Sequence, residues 1–338
     1  MSVCFAYDHR NQQDGSGAQI QRILATYSLS QEFGLGYLHS PVLNIDLNPG
    51  DSIDSEIQKF TFIEQLNEAF DLSSLNCSHV HTQSTLENSF APSNIILFRV
   101  WLQLIRAWAL MFRKSVLFLV SNPYVYIEQR PDIYDHIRAI EIPFLNSTKG
   151  MNQKFRISVH ILRAKISSAL VAERFQSTEW YQRVITEIIE ATNLDPERIE
   201  VTLHTDAPQS AAKWKLAKSA SAATYSYWGD KGLIDEHGTM PLIFEDFSKT
   251  LDGVKNLKIV RDITPLEAWA DMANTDVLIL GKSSFSFVGG LLNRNGVVVS
   301  PRFFCKPLSR WFLTEDAEGI SEELILAIKS KVESIGAV

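Results

Sequence analysis

Apolar and polar positions along this chain fall into two repeating rhythms. Short β-rich runs are followed, time after time, by segments whose apolar residues recur three and four apart. Val3-Cys4-Phe5-Ala6-Tyr7 is the first run. A polar loop, Asn11 to Ser16, leads into a helical pattern reaching about Phe33, with Ile20, Ile23, Leu24, Tyr27 and Leu29 along one stripe. Gly34 and Gly36 are placed to end it, and Tyr37-Leu38-His39 reads as a second strand. Residues 42–94 are less regular, with a helix expected near Ser55 to Phe70. Ile95 to Val120 reads as a strand end, a buried helix over about Trp101 to Arg113, and a strand from Val116 to Val120. Pro131 to Ile140 reads as a short helical piece.

Phe144 to Gln153 is polar and makes the best linker. The pattern then restarts. Strands are expected at Phe155–Ile161, Ile199–His204, Leu257–Val260, Val277–Leu280 and Val297–Val299. Helices are expected over Thr178–Ala191, Gln209–Lys218, Pro265–Met272, Phe285–Leu292 and Ile320–Ser334. Two successive runs of β and α units predict an α/β protein of two doubly wound, Rossmann-like domains facing across a cleft, residues 1–150 and 151–338. Ligands of such domains sit beyond the C-terminal ends of the strands.

Composition narrows the field. Hydrophobic residues make up 45% and charged residues 21%, as in ordinary globular proteins. A formal net charge of −7 argues against binding nucleic acid through bulk charge. The three cysteines, Cys4, Cys77 and Cys305, make no disulfide framework and fit a reducing, cytoplasmic setting. No signal peptide is visible at the N-terminus. Arg99, Arg106, Arg113 and Lys114 interrupt the most apolar region, so no transmembrane segment is expected there, while a peripheral membrane contact stays open.

Several polar groups lie just past predicted strand ends: His9, Asp14 and Gly15; His160 and Arg163; His204 and Asp206; and Ser283 to Ser286. The last follow Gly281 and Lys282 at the start of a predicted helix, where free N–H groups and the helix dipole favour an anion. Serine is also the preferred N-cap, so a bland capping role stands beside the phosphate reading. Gly281-Lys282-Ser283 resembles the end of a P-loop, but Asp276 stands where the motif needs its first glycine. Cys77, His79 and His81 alternate on one strand face as metal ligands could, yet no fourth ligand is evident.

The ordered set resembles the fucosyltransferase-type glycosyltransferases, the α-1,2, α-1,6 and protein O-fucosyltransferase superfamily. Gly15-Ser16-Gly17-Ala18-Gln19 is similar to the family's glycine-rich opening, and Val159 to Lys165 to its V-H-x-R-R-x-D signature. Val201 to Asp206 resembles the strand ending in Ser/Thr-Asp-Asp, and Asp276 to Asn293 the closing motif. The resemblance implies a GT-B fold with an acceptor-side N-terminal domain and a donor-side C-terminal one. It implies inverting transfer of fucose from GDP-fucose to a glycan hydroxyl, with no metal or other cofactor. Carried over by position, His160 and Asp206 approach the guanosine, Ser284 and Ser286 contact the phosphates, and Gly15 and Gly17 let the first loop close. Ser283, Lys282 and Arg163 join the donor set, and Glu173, with Asp8 and Asp14 as the other candidates, supplies the carboxylate that deprotonates the acceptor.

The departures fall where charge matters most. Leu162 stands at the family's first arginine, the one expected on the β-phosphate, Lys165 at its aspartate, and Ala207 at the second Asp of Ser/Thr-Asp-Asp. Leucine cannot neutralise a diphosphate. Arg163 could substitute only if the strand has ended before it, because neighbouring strand residues face opposite ways. The chain therefore reads as a glycosyltransferase or as a non-catalytic or donor-altered relative that binds a nucleotide or glycan. Tyr225 to Trp228, in a serine-rich context, is the best sugar-stacking platform in the sequence.

Overall fold

The computed structural model describes residues 3–8, 14–45, 56–77, 84–142, 144–145, 154–163, 172–208, 212–215, 239–242, 245–261, 263–303, 306–315 and 319–336. The chain forms two compact units, one of Met1–Ile45 with Glu56–Pro143 and one from Phe144 to Val338.

The first unit carries β1 (Val3–Tyr7), α1 (Ser16–Glu32), β2 (Gly36–Leu38), α2 (Glu56–Ala69), β3 (Ser84–Glu87), α3 (Ile95–Met111), β4 (Val116–Val120) and α4 (Tyr124–Ile127). Its sheet has the order β2-β1-β4-β3, and every pair is parallel. Gly34 alone ends the first helix, in the left-handed conformation at φ +60°. Gly36 instead lies within β2, paired with Cys4. A Cβ there would sit 2.5 Å from Cys4 Sγ and 2.9 Å from Cys77 Sγ, so only glycine fits. Of the Cys77–His81 cluster, only Cys77 lies among the described residues, and its Sγ is 2.6 Å from Cys4 Sγ.

The expectation of a strand end followed by a buried helix after residue 95 is overturned. Asn94 caps a helix that starts six residues earlier, its side chain accepting from the Ile96 and Leu97 N–H groups. That helix buries only Ile95, Phe98, Leu102 and Ala109. Phe98 fixes it to the sheet, stacked on Tyr126 at 4.0 Å and within 6.1 Å of the Phe5, Phe33 and Phe118 rings.

The second unit carries β5 (Phe155–Ile161), α5 (Thr178–Thr192), β6 (Ile199–Thr205), β7 (Ala212–Lys215), β8 (Thr239–Leu242), α6 (Phe247–Thr250), β9 (Leu257–Val260), α7 (Pro265–Ala273), β10 (Val277–Ile279), α8 (Ser284–Leu292), β11 (Val297–Ser300), β12 (Phe312–Leu313) and α9 (Glu322–Ser334). Its main sheet runs β12-β11-β10-β5-β6-β9, all parallel. The helix expected over Gln209–Lys218 is corrected: Ala212–Lys215 is a strand, antiparallel to β8. Ala-Lys-Trp-Lys alternates with period two, which suits a ribbon better than a helix.

The two faces of this sheet differ. Phe155, Ile157, Val159 and Ile161 pack with Ile199, Val201 and Leu203 against α5 and α9 in one continuous core. The alternate residues, Ser158, His160, Thr202 and His204, point the other way, with Asp271 of α7 and Phe285 of α8 against three of them. Helices thus cover both faces, and the fold class is α/β with two Rossmann-like units.

Candidate functional site

The C-terminal ends of β5, β6 and β10 lie side by side in the second unit, with His160 opposite His204 and Ile279 opposite Val159. The turn from β10 into α8 is built by its serines and one glycine. Ser283 caps α8, its Oγ accepting from the Ser286 N–H at 3.0 Å. Ser286 turns back, its Oγ accepting from the Gly281 N–H at 2.7 Å. A Cβ on residue 281 would stand 2.6 Å from the His160 carbonyl oxygen and 3.2 Å from its Nδ1. Glycine is therefore what lets this turn close onto the end of β5. The opening turn of α8 leaves the N–H groups of Ser284 and Phe285 without an acceptor among the described residues. The bland reading describes the serines as caps, and the cap leaves two N–H groups without an acceptor among the described residues.

His160 lies against this turn, 5% exposed, with its ring 5.2 Å from Phe285. Its Nδ1 is buried and has no hydrogen-bond partner among the described residues. Burial, with His204 adding a smaller repulsion, pushes its pKa down to about 3, so the ring is neutral at physiological pH. A buried ring nitrogen without a partner costs free energy unless a ligand satisfies it. Beside it His204 donates through Nε2 to Asp271 Oδ2 at 2.7 Å, and Ser158 Oγ donates to the same oxygen at 3.0 Å. Burial alone would raise the Asp271 pKa, but His204, Ser158 and Arg156 outweigh it and hold the carboxyl below its ordinary value. The sequence reading missed Asp271 and Ser158. Their signal was present: two paired apolar strands carried polar residues at matching alternate positions, and such a polar face needs partners on the covering helix.

Arg163 is the largest departure from expectation. β5 ends at Ile161, so the condition for Arg163 to take over from Leu162 is met in the backbone. The guanidinium nonetheless turns inward, 1% exposed. Nε donates to Glu245 Oε2 at 2.6 Å, and the remaining nitrogens to Gln176 O and Thr178 Oγ1, both at 2.8 Å, and to Leu162 O at 3.1 Å. Phe175 covers its flat side at 4.7 Å. Thr178 Oγ1 also donates to Glu245. This side chain is engaged within the fold, and Glu245, 82 residues away, is the partner that holds it.

Asp206 accepts the Arg163 backbone N–H at 2.6 Å, tying the ends of β5 and β6. Lys282 Nζ donates to Phe175 O at 3.2 Å, and Glu173 lies exposed on the short turn Ala172–Arg174. Thus His160, Arg163, Asp206 and residues 282–286 gather around neighbouring strand ends of one unit. Gly15, Gly17 and Asp14 belong to the other unit. Gly15 is the N-cap of α1, Gly17 is buried in its first turn, and Asp14 pairs with Arg22 at 2.6 Å. His9, Ala164, Lys165 and Tyr225 to Trp228 lie outside the described residues. Trp311 is a core residue against Phe287.

No protein-family model and no curated protein matches this sequence. Among solved structures, the chain is similar to the E. coli heptosyltransferase WaaC with ADP-2-deoxy-2-fluoro heptose, at 9% identity and TM-score 0.39 over 99% of both chains. It is similar to a glycosyl transferase family 9 protein of Veillonella parvula, at 10% identity and TM-score 0.36 over 100% of this chain and 93% of that one. It is also similar to the fucosyltransferase NodZ from Bradyrhizobium, at 13% identity and TM-score 0.30 over 86% and 93%. Likeness at this level carries no argument about chemistry.

Proposed function

We propose that the chain is a glycosyltransferase that takes a nucleotide-diphosphate sugar, with the diphosphate at the start of α8. The observation that carries this is the β10–α8 turn. Gly281 brings it against the end of β5, the Ser283 cap leaves two N–H donors, and His160 Nδ1, without a partner among the described residues, lies against Gly281. A helix N-terminus stabilises a leaving diphosphate electrostatically, which is the main need of a transfer without covalent catalysis. The sequence resemblance supports the finer reading, transfer of fucose from GDP-fucose to a glycan hydroxyl. In it His160 and Asp206 meet the guanosine, and Glu173 or Asp14 accepts the proton of the acceptor.

Arg163 favours a second reading, a relative that binds a nucleotide or glycan with little or no transfer. The position that carries the β-phosphate arginine in the family is Leu162, and the neighbouring arginine is held by Glu245. Isothermal titration of the full chain with GDP, GDP-fucose, UDP and ADP separates these readings. Binding of one nucleotide with sugar transfer supports the first. GDP binding without hydrolysis or transfer supports the second, and no binding of any nucleotide overturns the first.

A further inference from the structure

The outward side of α3 is apolar. Ile96, Leu97, Val100, Leu104 and Met111 are between 55% and 74% exposed. Leu110, on the cationic flank, and Phe112, just past the last turn, extend this surface. The inward stripe is already used, because Phe98 locks the helix onto the sheet through its ring contacts, so the outward stripe cannot turn in. Exposed apolar surface of this continuity marks an interaction site.

Charge identifies the occupant. The protein carries a net −7, yet the sequence from Asn88 to Ile127 contains no Asp or Glu and has Arg99, Arg106, Arg113 and Lys114. Arg99 is paired across to Glu32, and Arg106 holds the carbonyl of Gly34. Arg113 and Lys114 are exposed just beyond the helix end, with Lys114 over the ring of Trp108 at 5.6 Å. A second copy docking through the same face would bring no acid from this segment to meet Arg113 and Lys114. An anionic surface suits them. No helix among the described residues is long and apolar enough to cross a membrane, and this one is 17 residues with a buried inner stripe. We propose that α3 is a membrane-docking element that lies in the interface of a bilayer of anionic lipids. Leu97, Val100, Leu104 and Met111 enter the acyl boundary, and Arg113 and Lys114 meet the headgroups. This face belongs to the first unit and does not depend on the nucleotide reading.

The test is co-sedimentation of the full chain with vesicles of phosphatidylcholine alone and of phosphatidylcholine with 30% phosphatidylglycerol. The anionic vesicles are expected to bind at least ten times more tightly, and 0.5 M salt should weaken that several-fold. Leu104→Glu/Met111→Glu should lower the partition coefficient more than tenfold, with an unchanged thermal melt because both sites are exposed. Arg113→Gln/Lys114→Gln should lower it about thirtyfold, from about 1 kcal/mol for each of the two cations near the surface. Absence of binding to anionic vesicles, or binding that ignores both double variants, overturns the proposal. So does a concentration-dependent dimer in sedimentation velocity that Leu104→Glu/Met111→Glu abolishes, which would assign the face to a second copy.

Discussion

Replacing Arg163 with methionine distinguishes a phosphate ligand from a structural ion pair. The guanidinium is buried with four hydrogen bonds, and its partner Glu245 keeps 19% of its side chain exposed. Removing one member of a buried pair costs about 3–5 kcal/mol, because the other charge stays behind. The exposed fraction of Glu245 relieves part of that, which puts the expected loss near the lower figure. For a unit of this size each kcal/mol lowers the melting temperature by about 2–4 °C, so Arg163→Met should melt about 6–12 °C lower. The double variant Arg163→Met/Glu245→Leu should recover most of the loss, since replacing both partners with apolar groups is often neutral. Thermal melts and urea titrations give the stabilities, and GDP titration at 10 °C, where the variant is still folded, gives the affinity. The structural assignment predicts a GDP affinity within about threefold of the parent. A melt within 2 °C of the parent combined with a tenfold weaker GDP affinity would refute it and return Arg163 to the phosphate.

Three further outcomes are expected. Because His160 stays unprotonated in the folded state down to about pH 3 while the unfolded chain binds a proton near 6.5, stability is full above pH 6.5 and falls as pH drops. The contribution is at most about 1.4 kcal/mol per pH unit, and urea melts between pH 6.5 and 4.5 should show His160→Asn with a shallower slope than the parent. An equal slope in both proteins would locate the effect elsewhere. Gly281→Ala places a methyl 2.6 Å from the His160 carbonyl oxygen. The backbone must yield, at about 1–3 kcal/mol, and GDP affinity should fall at least tenfold in the folded variant. Leu162→Arg introduces the charge of the fucosyltransferase-type motif at a half-buried position just past β5. A charge-assisted bond worth about 1.5–3 kcal/mol should tighten GDP binding tenfold or more by calorimetry; unchanged affinity would mean that this position does not face the diphosphate.

The frame of the second unit was legible because its signals are local. Phe155–Ile161 and Leu257–Val260 coincide with the strands read from alternation and β-branching, and Pro265 marks the start of α7. Boundaries failed where capping outweighed propensity. Ile95 to Val100 is β-branched and apolar enough to read as a strand end, and only the Asn94 side chain, bonded to two N–H groups, settles it as helix. The same local reading misjudged how much of α3 is buried, because the amount of a helix that a sheet covers is a tertiary quantity.

The candidate site divides in the same way. Its backbone half could be read: a serine cap after a strand, with a glycine before it, is a sequence pattern with a geometric meaning, and the structure supplies the turn. Its side-chain half could not, since the groups that decide it are far apart in sequence. Asp271 reaches His204 across 67 residues, and Glu245 reaches Arg163 across 82. A motif shows that an arginine follows Leu162, but it cannot show whether the guanidinium turns outward to a ligand or inward to a carboxylate. With Arg163 turned inward and Lys282 bonded to the Phe175 carbonyl, the α8 N–H groups and the Nδ1 atoms of His160 and His204 are left without partners among the described residues of this cluster. Under the proposed function such a site would hold a diphosphate through oriented dipoles more than through net charge, so GDP binding should fall less steeply with salt than in a protein with an arginine on the β-phosphate.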